Sequence, residues 1–218
     1  MGTYVTVASV RRTVGISSTQ ISDEDVTATI TEVEEQVQRY FNTVFTPTEK
    51  IEILDGDGTN RLLVDQNPLL SVRQLKIDGT TEDPANLLIY KESGYVFLGE
   101  DADTSKFKEK RNAIVIKYIY GTVRHSQTVS TTSTAASVAG TSVALAVSDE
   151  SDFNEDDWVE VYGMDGNREV AQITVVEANE ITVDQLVQAH ESGSTIVKME
   201  TSENFKKLMN IIASIALV

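Results

Sequence analysis

Apolar residues recur along this chain at two different spacings, and the spacing changes near residue 47. Before it, Val26, Ile30, Val33, Val37, Tyr40 and Val44 step by three and four, which predicts one apolar stripe on a helix of about five turns. Phe41 widens the stripe, and Glu32, Glu35, Gln36 and Gln38 occupy the opposite face. Ser22 and Asp25 form an Asp-bearing variant of the capping box, Asp23, Glu24 and Asp25 place negative charge in the first turn, and Pro47 marks the stop. A shorter helix precedes it. Thr6 is its predicted cap, Val7, Val10 and Val14 its stripe, and Gly15 its C-terminal stop, with Arg11 and Arg12 near the end that favours cations.

From residue 51 the pattern becomes that of strands broken by turns. Ile51-Glu52-Ile53 and Leu62-Leu63-Val64 flank Asp55-Gly56-Asp57-Gly58, which reads as a hairpin ended by Pro68. Val72, Leu75 and Ile77 lead to a turn at Asp78-Gly79. Leu87–Tyr90 and Tyr95–Leu98 form a second hairpin around Lys91-Glu92-Ser93-Gly94. A charged loop from Asp101 to Arg111 precedes Ala113–Gly121, the most apolar strand of the chain, which is expected to be central.

After His125 the composition shifts. Residues 126–142 are mostly Ser, Thr, Ala and Val and read as a linker or a weakly patterned strand. Strands are then expected at Ser142–Val147, Trp158–Tyr162, Glu169–Val176, Glu180–Val183 and Thr195–Met199. Turns are expected at Gly163–Asn167, Ala178-Asn179 and Ser192-Gly193. Short strands at this spacing predict a small barrel or curled sheet. Helical period returns with Phe205, Leu208, Met209, Ile212 and Ile215 on one face, capped by Thr201 or Ser202. The expected fold class is α+β: N-terminal helices, β-hairpins and a C-terminal helix, with an inserted small all-β, barrel-like domain. Residues 1–124 and 201–218 would form one α+β domain and residues 125–200 the insertion.

Composition narrows the function classes. The 218 residues include no Cys, which excludes a disulfide framework, a thiolate metal site and a Cys nucleophile. The net charge of −16 argues against capture of nucleic-acid backbone and against docking on anionic lipid. That charge is uneven: residues 125–200 carry 14 acidic and 2 basic side chains, net −12, whereas residues 1–124 are net −5 and residues 201–218 net +1. The insertion is therefore expected to be a solvated projection. No window approaches the length of a membrane span, and Met1–Tyr4 opens no basic-plus-apolar targeting segment.

Candidate chemistry is sparse. Asp55 and Asp57 begin like a calcium loop, but the twelfth position is Gln66 where a bidentate Glu is needed, and the predicted flanks are strands. A structural turn is the favoured reading. Asp152 and Asp156 belong to an acidic loop, Asp149–Asp157, that either holds Ca²⁺ or Mg²⁺ loosely or is a solvated face turned toward a basic partner. His125 and His190 have no partner at metal-ligand spacing. There is no Gly-x-Ser-x-Gly elbow and no phosphate-binding glycine loop. Trp158 is expected in the core of the small β domain. Lys106, Lys108, Lys110 and Arg111 are possible partner contacts, for phosphates or an acidic surface, or simply a solvated loop. No catalytic residue, resident metal or cofactor is assigned, and the chain does not read as an enzyme.

The order of these elements carries a resemblance. A Val-rich helix ending in Gly15 is followed by a longer helix ending in Arg39-Tyr40-Phe41-Asn42. Then come the Asp55–Gly58 turn, Asn67-Pro68-Leu69-Leu70-Ser71-Val72 followed by Ile77-Asp78-Gly79, and a strand ending in Tyr120-Gly121. This resembles the head–tail adaptor (connector) family of tailed viruses, over residues 5–124 and 201–218. Residues 125–200 have no counterpart in the minimal family pattern. The resemblance implies a structural virion protein at the neck: a homo-oligomeric ring of about twelve copies closed by head-to-tail interfaces. Its partners would be the portal protein, a tail-side stopper or tail-completion protein, and genomic DNA passing through the channel without sequence-specific binding. It implies no chemistry and no membrane. The competing expectation is a non-viral, β-rich surface or binding module with a helical cap.

Overall fold

A computed structural model of the chain describes residues 4–163 and 166–217. In chain order the elements are α1 (Val7–Val14), α2 (Asp23–Phe41), β1 (Thr48–Gly56), β2 (Arg61–Leu63), β3 (Leu69–Ile77), β4 (Thr80–Glu82), β5 (Leu87–Tyr90), β6 (Tyr95–Leu98) and β7 (Lys110–Tyr120). They continue with β8 (Arg124–Thr132), β9 (Gly140–Ala146), β10 (Trp158–Tyr162), β11 (Arg168–Glu177), β12 (Glu180–Leu186), β13 (Thr195–Glu200) and α3 (Glu203–Ala216). The class is α+β and mostly β, with antiparallel sheets, N-terminal helices and a C-terminal helix.

The chain forms two compact units, Met1–Thr46 with Thr201–Val218, and Pro47–Glu200. This grouping differs from the boundary expected after residue 124. The strands on both sides of that point belong to one unit because they share an apolar seam. In it, Leu70 and Ile119 of the first sheet meet Val170 and Met199, with Val123 and Trp158 packed alongside.

In the helical unit, α1 begins with a full capping box: the Thr6 hydroxyl accepts from Ser9 N, and the Ser9 side chain accepts from Thr6 N. Gly15 closes the helix at φ 75°, a left-handed conformation that costs a residue with a Cβ about 1–2 kcal/mol. Ser22 caps α2, and Asn42 ends it, also left-handed. Val10, Val26, Ile30, Met209 and Ala213 are fully buried between the three helices, joined by Tyr4, Val33 and Phe45. Phe45 stacks on Phe205 at 3.7 Å between ring centroids. The stripe of α2 ends earlier than its spacing suggested: Tyr40 is 83% exposed, and Val44 lies beyond the helix. Among the expected face of α3, Met209 is buried, whereas Leu208 and Ile215 are exposed. Ala213 takes an interior position.

In the second unit, β7 is central in a four-stranded sheet of order β1-β7-β3-β4. A three-stranded sheet of order β2-β6-β5 covers one face of it, burying Val64, Leu75, Val96, Ile114, Ile116 and Tyr118. The hairpin expected around Asp55–Gly58 does not form. β1 pairs with β7 and β2 pairs with β6, so the turn carries the chain from one sheet to the other. The hairpin β5–β6 does form, with Gly94 at φ 70°.

The remaining strands form a six-stranded sheet, β8-β13-β10-β11-β12-β9. Its two edges meet. Ser133 bridges Val147, Thr134 N donates to Ala146 O at 2.8 Å, and Ser148 N donates to Thr132 O at 3.0 Å. The sheet is thus closed into a small barrel, filled by Leu145, Val147, Val159, Val161, Ile173, Ile181, Val183 and Ile196. The Ser/Thr-rich stretch after His125 is strand β8 as far as Thr132. Trp158 is not inside the barrel. Side chains alternate along β10, so Val159 and Val161 point inward while Trp158, Glu160 and Tyr162 share the outer face. The expected turn at Gly163–Asn167 includes residues 164 and 165, which lie outside the described residues.

Candidate functional site

The turn at Asp55–Gly58 is a locked crossing. Asp57 Oδ1 accepts from both the amide and the hydroxyl of Thr59, which holds its carboxyl below the ordinary range. Asp55 Oδ1 accepts from Asn112 N at 2.7 Å. Gly58 N donates to Phe107 O, and Phe107 N donates to Thr59 O, both at 2.7 Å, while the Phe107 ring is fully buried. The backbone at Lys108 passes so close to Gly56 that a Cβ there would stand 1.9 Å from the Lys108 carbonyl oxygen. Asp55, Gly56, Asp57 and Gly58 are therefore a structural joint, and the expected charged loop is pinned to it. Lys106, Lys108, Lys110 and Arg111 are all exposed beside this joint, the last two at the start of β7. Lys110 pairs with Asp78, lowering the Asp78 carboxyl, whereas Lys106, Lys108 and Arg111 make no ion pair among the described residues. Asp78, at φ 56°, and Gly79, at φ 86°, turn β3 into β4, and Pro68 follows a cis peptide before β3.

The acidic loop is bonded within itself. Asp149 Oδ1 accepts from Ser151 N, and Asp157 Oδ2 accepts from Asn154 N and from Lys198 Nζ at 2.6 Å. Asp156 adopts φ 69°. Among the described residues, no three His, Asp or Glu side chains converge in a manner that would hold a metal ion, so none of Asp55, Asp57, Asp152 and Asp156 belongs to such a group.

Two features were not legible in the sequence. The first is a polar cleft of about 390 Å³ lined by Leu70, Lys91, Val123, Arg124, His125, Glu160, Arg168 and others. Glu160 is its buried centre. Its carboxylate receives Lys91 Nζ at 3.2 Å and the ring of His125, and the Tyr162 hydroxyl lies 2.7 Å from His125 Nε2. Burial disfavours the charged form, but the Lys91 ammonium and the bonds from Tyr162 and His125 outweigh it and hold the Glu160 carboxyl below its ordinary value. Arg168 lies over the Tyr162 ring at 4.3 Å. Burial, and then the neighbouring Glu160, push the Tyr162 phenol up to about 12. The cluster joins residues far apart in sequence, so no spacing announces it. His190, by contrast, is fully enclosed against Glu169 at 2.6 Å, and Glu169 also accepts the amides of Val187 and Gln188, which is a structural arrangement.

The second feature is apolar. On the outer face of the β2-β6-β5 sheet, Leu63 lies opposite Tyr95 and Tyr95 opposite Tyr90. In the next row Arg61 lies opposite Phe97 and Phe97 opposite Leu88. Leu63, Leu88 and Tyr90 are each more than half exposed. In the helical unit, Leu208, Ile211 and Ile215 form an exposed stripe on α3 beside a shallow pocket reaching Thr13 and Val14. Contiguous exposed apolar surface of this kind marks interaction sites. No helix among the described residues is long and apolar enough to cross a membrane.

Compared with known proteins, the chain matches no family model and no curated sequence.

Proposed function

We propose that this chain is a structural virion protein, a head–tail adaptor of tailed viruses. About twelve copies would form a ring under the portal at the capsid vertex. The ring would extend the DNA channel and join the vertex to the tail through a tail-side stopper or completion protein. The DNA would pass without sequence-specific capture, which suits a net charge of −16. No catalysis is required of the chain in this role.

The observation that carries the reading is the course of residues 67–79. Asn67-Pro68 leads into β3, which runs to the Asp78-Gly79 turn, after the glycine joint at residues 55–58 and the short strand β2. These are the segments on which the resemblance rests, and they hold the centre of one sheet together with β7, which ends at Tyr120 before Gly121. The exposed apolar surfaces add support, since a ring subunit must cover such surfaces on its neighbours.

The test is assembly. The purified chain, alone and mixed with the portal protein encoded beside its gene, would be examined by mass photometry and negative-stain microscopy. Rings with a central channel, formed alone or on the portal, are the expected result. A chain that stays monomeric with its cognate portal overturns the reading.

A further inference from the structure

We propose that the exposed stripe of α3 in one copy seats on the outer face of the β2-β6-β5 sheet in the next copy. This assignment of the contact surfaces rests on the ring reading. The two patches are different in shape and lie on different units of the same chain, so pairing them is head-to-tail, the kind of contact that a rotation closes into a ring.

Dimensions agree. Leu208 to Ile215 is two helical turns, about 10 Å along the axis. Three neighbouring strands span about 10 Å from the first to the third. Leu208, Ile211 and Ile215 can therefore lie across the row Leu63, Tyr95 and Tyr90 and the adjoining pair Phe97 and Leu88.

Charge agrees as well. Residues 201–218 are the only stretch of the three charge regions with a positive net charge, through Lys206 and Lys207 against Glu203. Lys207 stands one turn before Ile211, at the edge of the stripe, while Lys206 is tied to Glu203 at 2.8 Å. The sheet face is rimmed on the Leu88 side by Glu100 and Asp101, which line a shallow depression with Leu88. Neither acid has an ion-pair partner among the described residues. An apolar centre with Lys207 facing these carboxylates gives the contact a fixed direction.

The absence of native Cys allows a direct test on the full chain. Two differently tagged copies would carry Ile211→Cys and Leu88→Cys respectively, both at exposed positions, and would be mixed with a short bismaleimide cross-linker. The expected product is a mixed dimer, with cross-linking between two Ile211→Cys copies or two Leu88→Cys copies at least about tenfold weaker. The double variant should give a ladder of oligomers. Lys207→Glu should reduce the mixed product about tenfold, the effect of losing one anchor, and Glu100→Lys with Asp101→Lys should restore it.

Same-site cross-links as strong as the mixed product, cross-links only within one chain, or no product at high concentration with the cognate portal present would each overturn the proposal. The ring reading is judged separately. Rings on the portal without this cross-link would remove the surface assignment alone, whereas mixed cross-links in open chains that never close would keep the surfaces and remove the ring.

Discussion

The guanidinium of Arg73 on β3 reaches the carboxylate of Asp184 on β12 at 3.0 Å, and Arg73 Nη1 also donates to Gln185 O at 3.3 Å. Arg73 is almost fully buried, and Asp184 Oδ1 also accepts the amides of Gln172 and Gln185. The pair thus ties the first sheet to the barrel and fixes the β11–β12 backbone at the same time.

The two halves of this pair should respond unequally to mutation. Asp184→Ala leaves a buried cation and two amides without their acceptor, and should cost about 3–5 kcal/mol. Arg73→Met removes the charge and fills much the same volume, and should cost far less, about 1 kcal/mol. Urea denaturation of both variants checks this. Equal losses would show that the pair acts by attraction alone and that burial of the cation is not the deciding factor.

Gly56 should be the least replaceable residue of the turn. Its missing Cβ is the space through which the Lys108 carbonyl passes, and the obstructing atoms are backbone, which cannot swing aside. Gly56→Ala should therefore separate the joint from residues 107–108 and destabilise by about 2–4 kcal/mol. Gly15→Ala, where nothing lies near the added Cβ and only the left-handed φ is strained, should cost about 1–2 kcal/mol. Thermal denaturation of the two variants should rank them in this order.

These examples mark what sequence could disclose. The helices, the caps of α1 and α2 and the central place of β7 follow from local period and capping chemistry, because an amphipathic helix or a doubly buried strand writes its environment into its own residues, whereas Ser202 stands at the start of α3 without a side-chain capping bond and the Thr201 hydroxyl donates to Phe45 O. The pairing of β1 with β7 and of β2 with β6 was not legible. Asp-Gly-Asp-Gly signals a turn, but a turn that closes a hairpin and one that changes sheets use the same residues. The Glu160 cluster was hidden for another reason. Lys91, His125 and Glu160 meet only after β10 and β13 are registered, and a lone Glu between two Val residues reads as an exposed strand position. Leu208 and Ile215 misled in the opposite direction. Period alone cannot separate an apolar residue that faces the core from one that faces outward beside it.

Glu160 should make stability depend on acid. Its carboxyl titrates lower in the folded chain than its ordinary value of 4.5, so ionised Glu160 contributes stability above that value. The contribution is lost as pH falls through the lower folded value. Glu160→Gln keeps the shape but not the charge, and should cost about 1–2 kcal/mol at neutral pH, since Lys91 is partly exposed and its attraction is screened. Denaturant midpoints measured from neutral pH down to pH 3 should converge for the two proteins at the acid end. Parallel curves would mean that Glu160 is not charged in the folded chain.

Three of the seven tyrosines should titrate late in the native chain. Burial raises the phenols of Tyr4, Tyr118 and Tyr162, and the carboxylates of Glu52 beside Tyr118 and Glu160 beside Tyr162 raise them further. Tyr118 donates its hydroxyl to Glu52 at 2.8 Å, so its ionisation would face one anion with another. A folded value above the unfolded one means that the stability is whole below pH 10 and is lost as pH rises through the folded values. Ultraviolet titration of tyrosinate absorbance should therefore show the phenols of Tyr4, Tyr118 and Tyr162 each ionising later than an ordinary phenol, at values that differ from site to site. Glu52→Gln should move the Tyr118 step to lower pH and leave that of Tyr162 in place, and Glu160→Gln should do the reverse. Ionisation of these three phenols at the ordinary value, before any loss of secondary structure by circular dichroism, would contradict the burial and the neighbouring carboxylates that raise them.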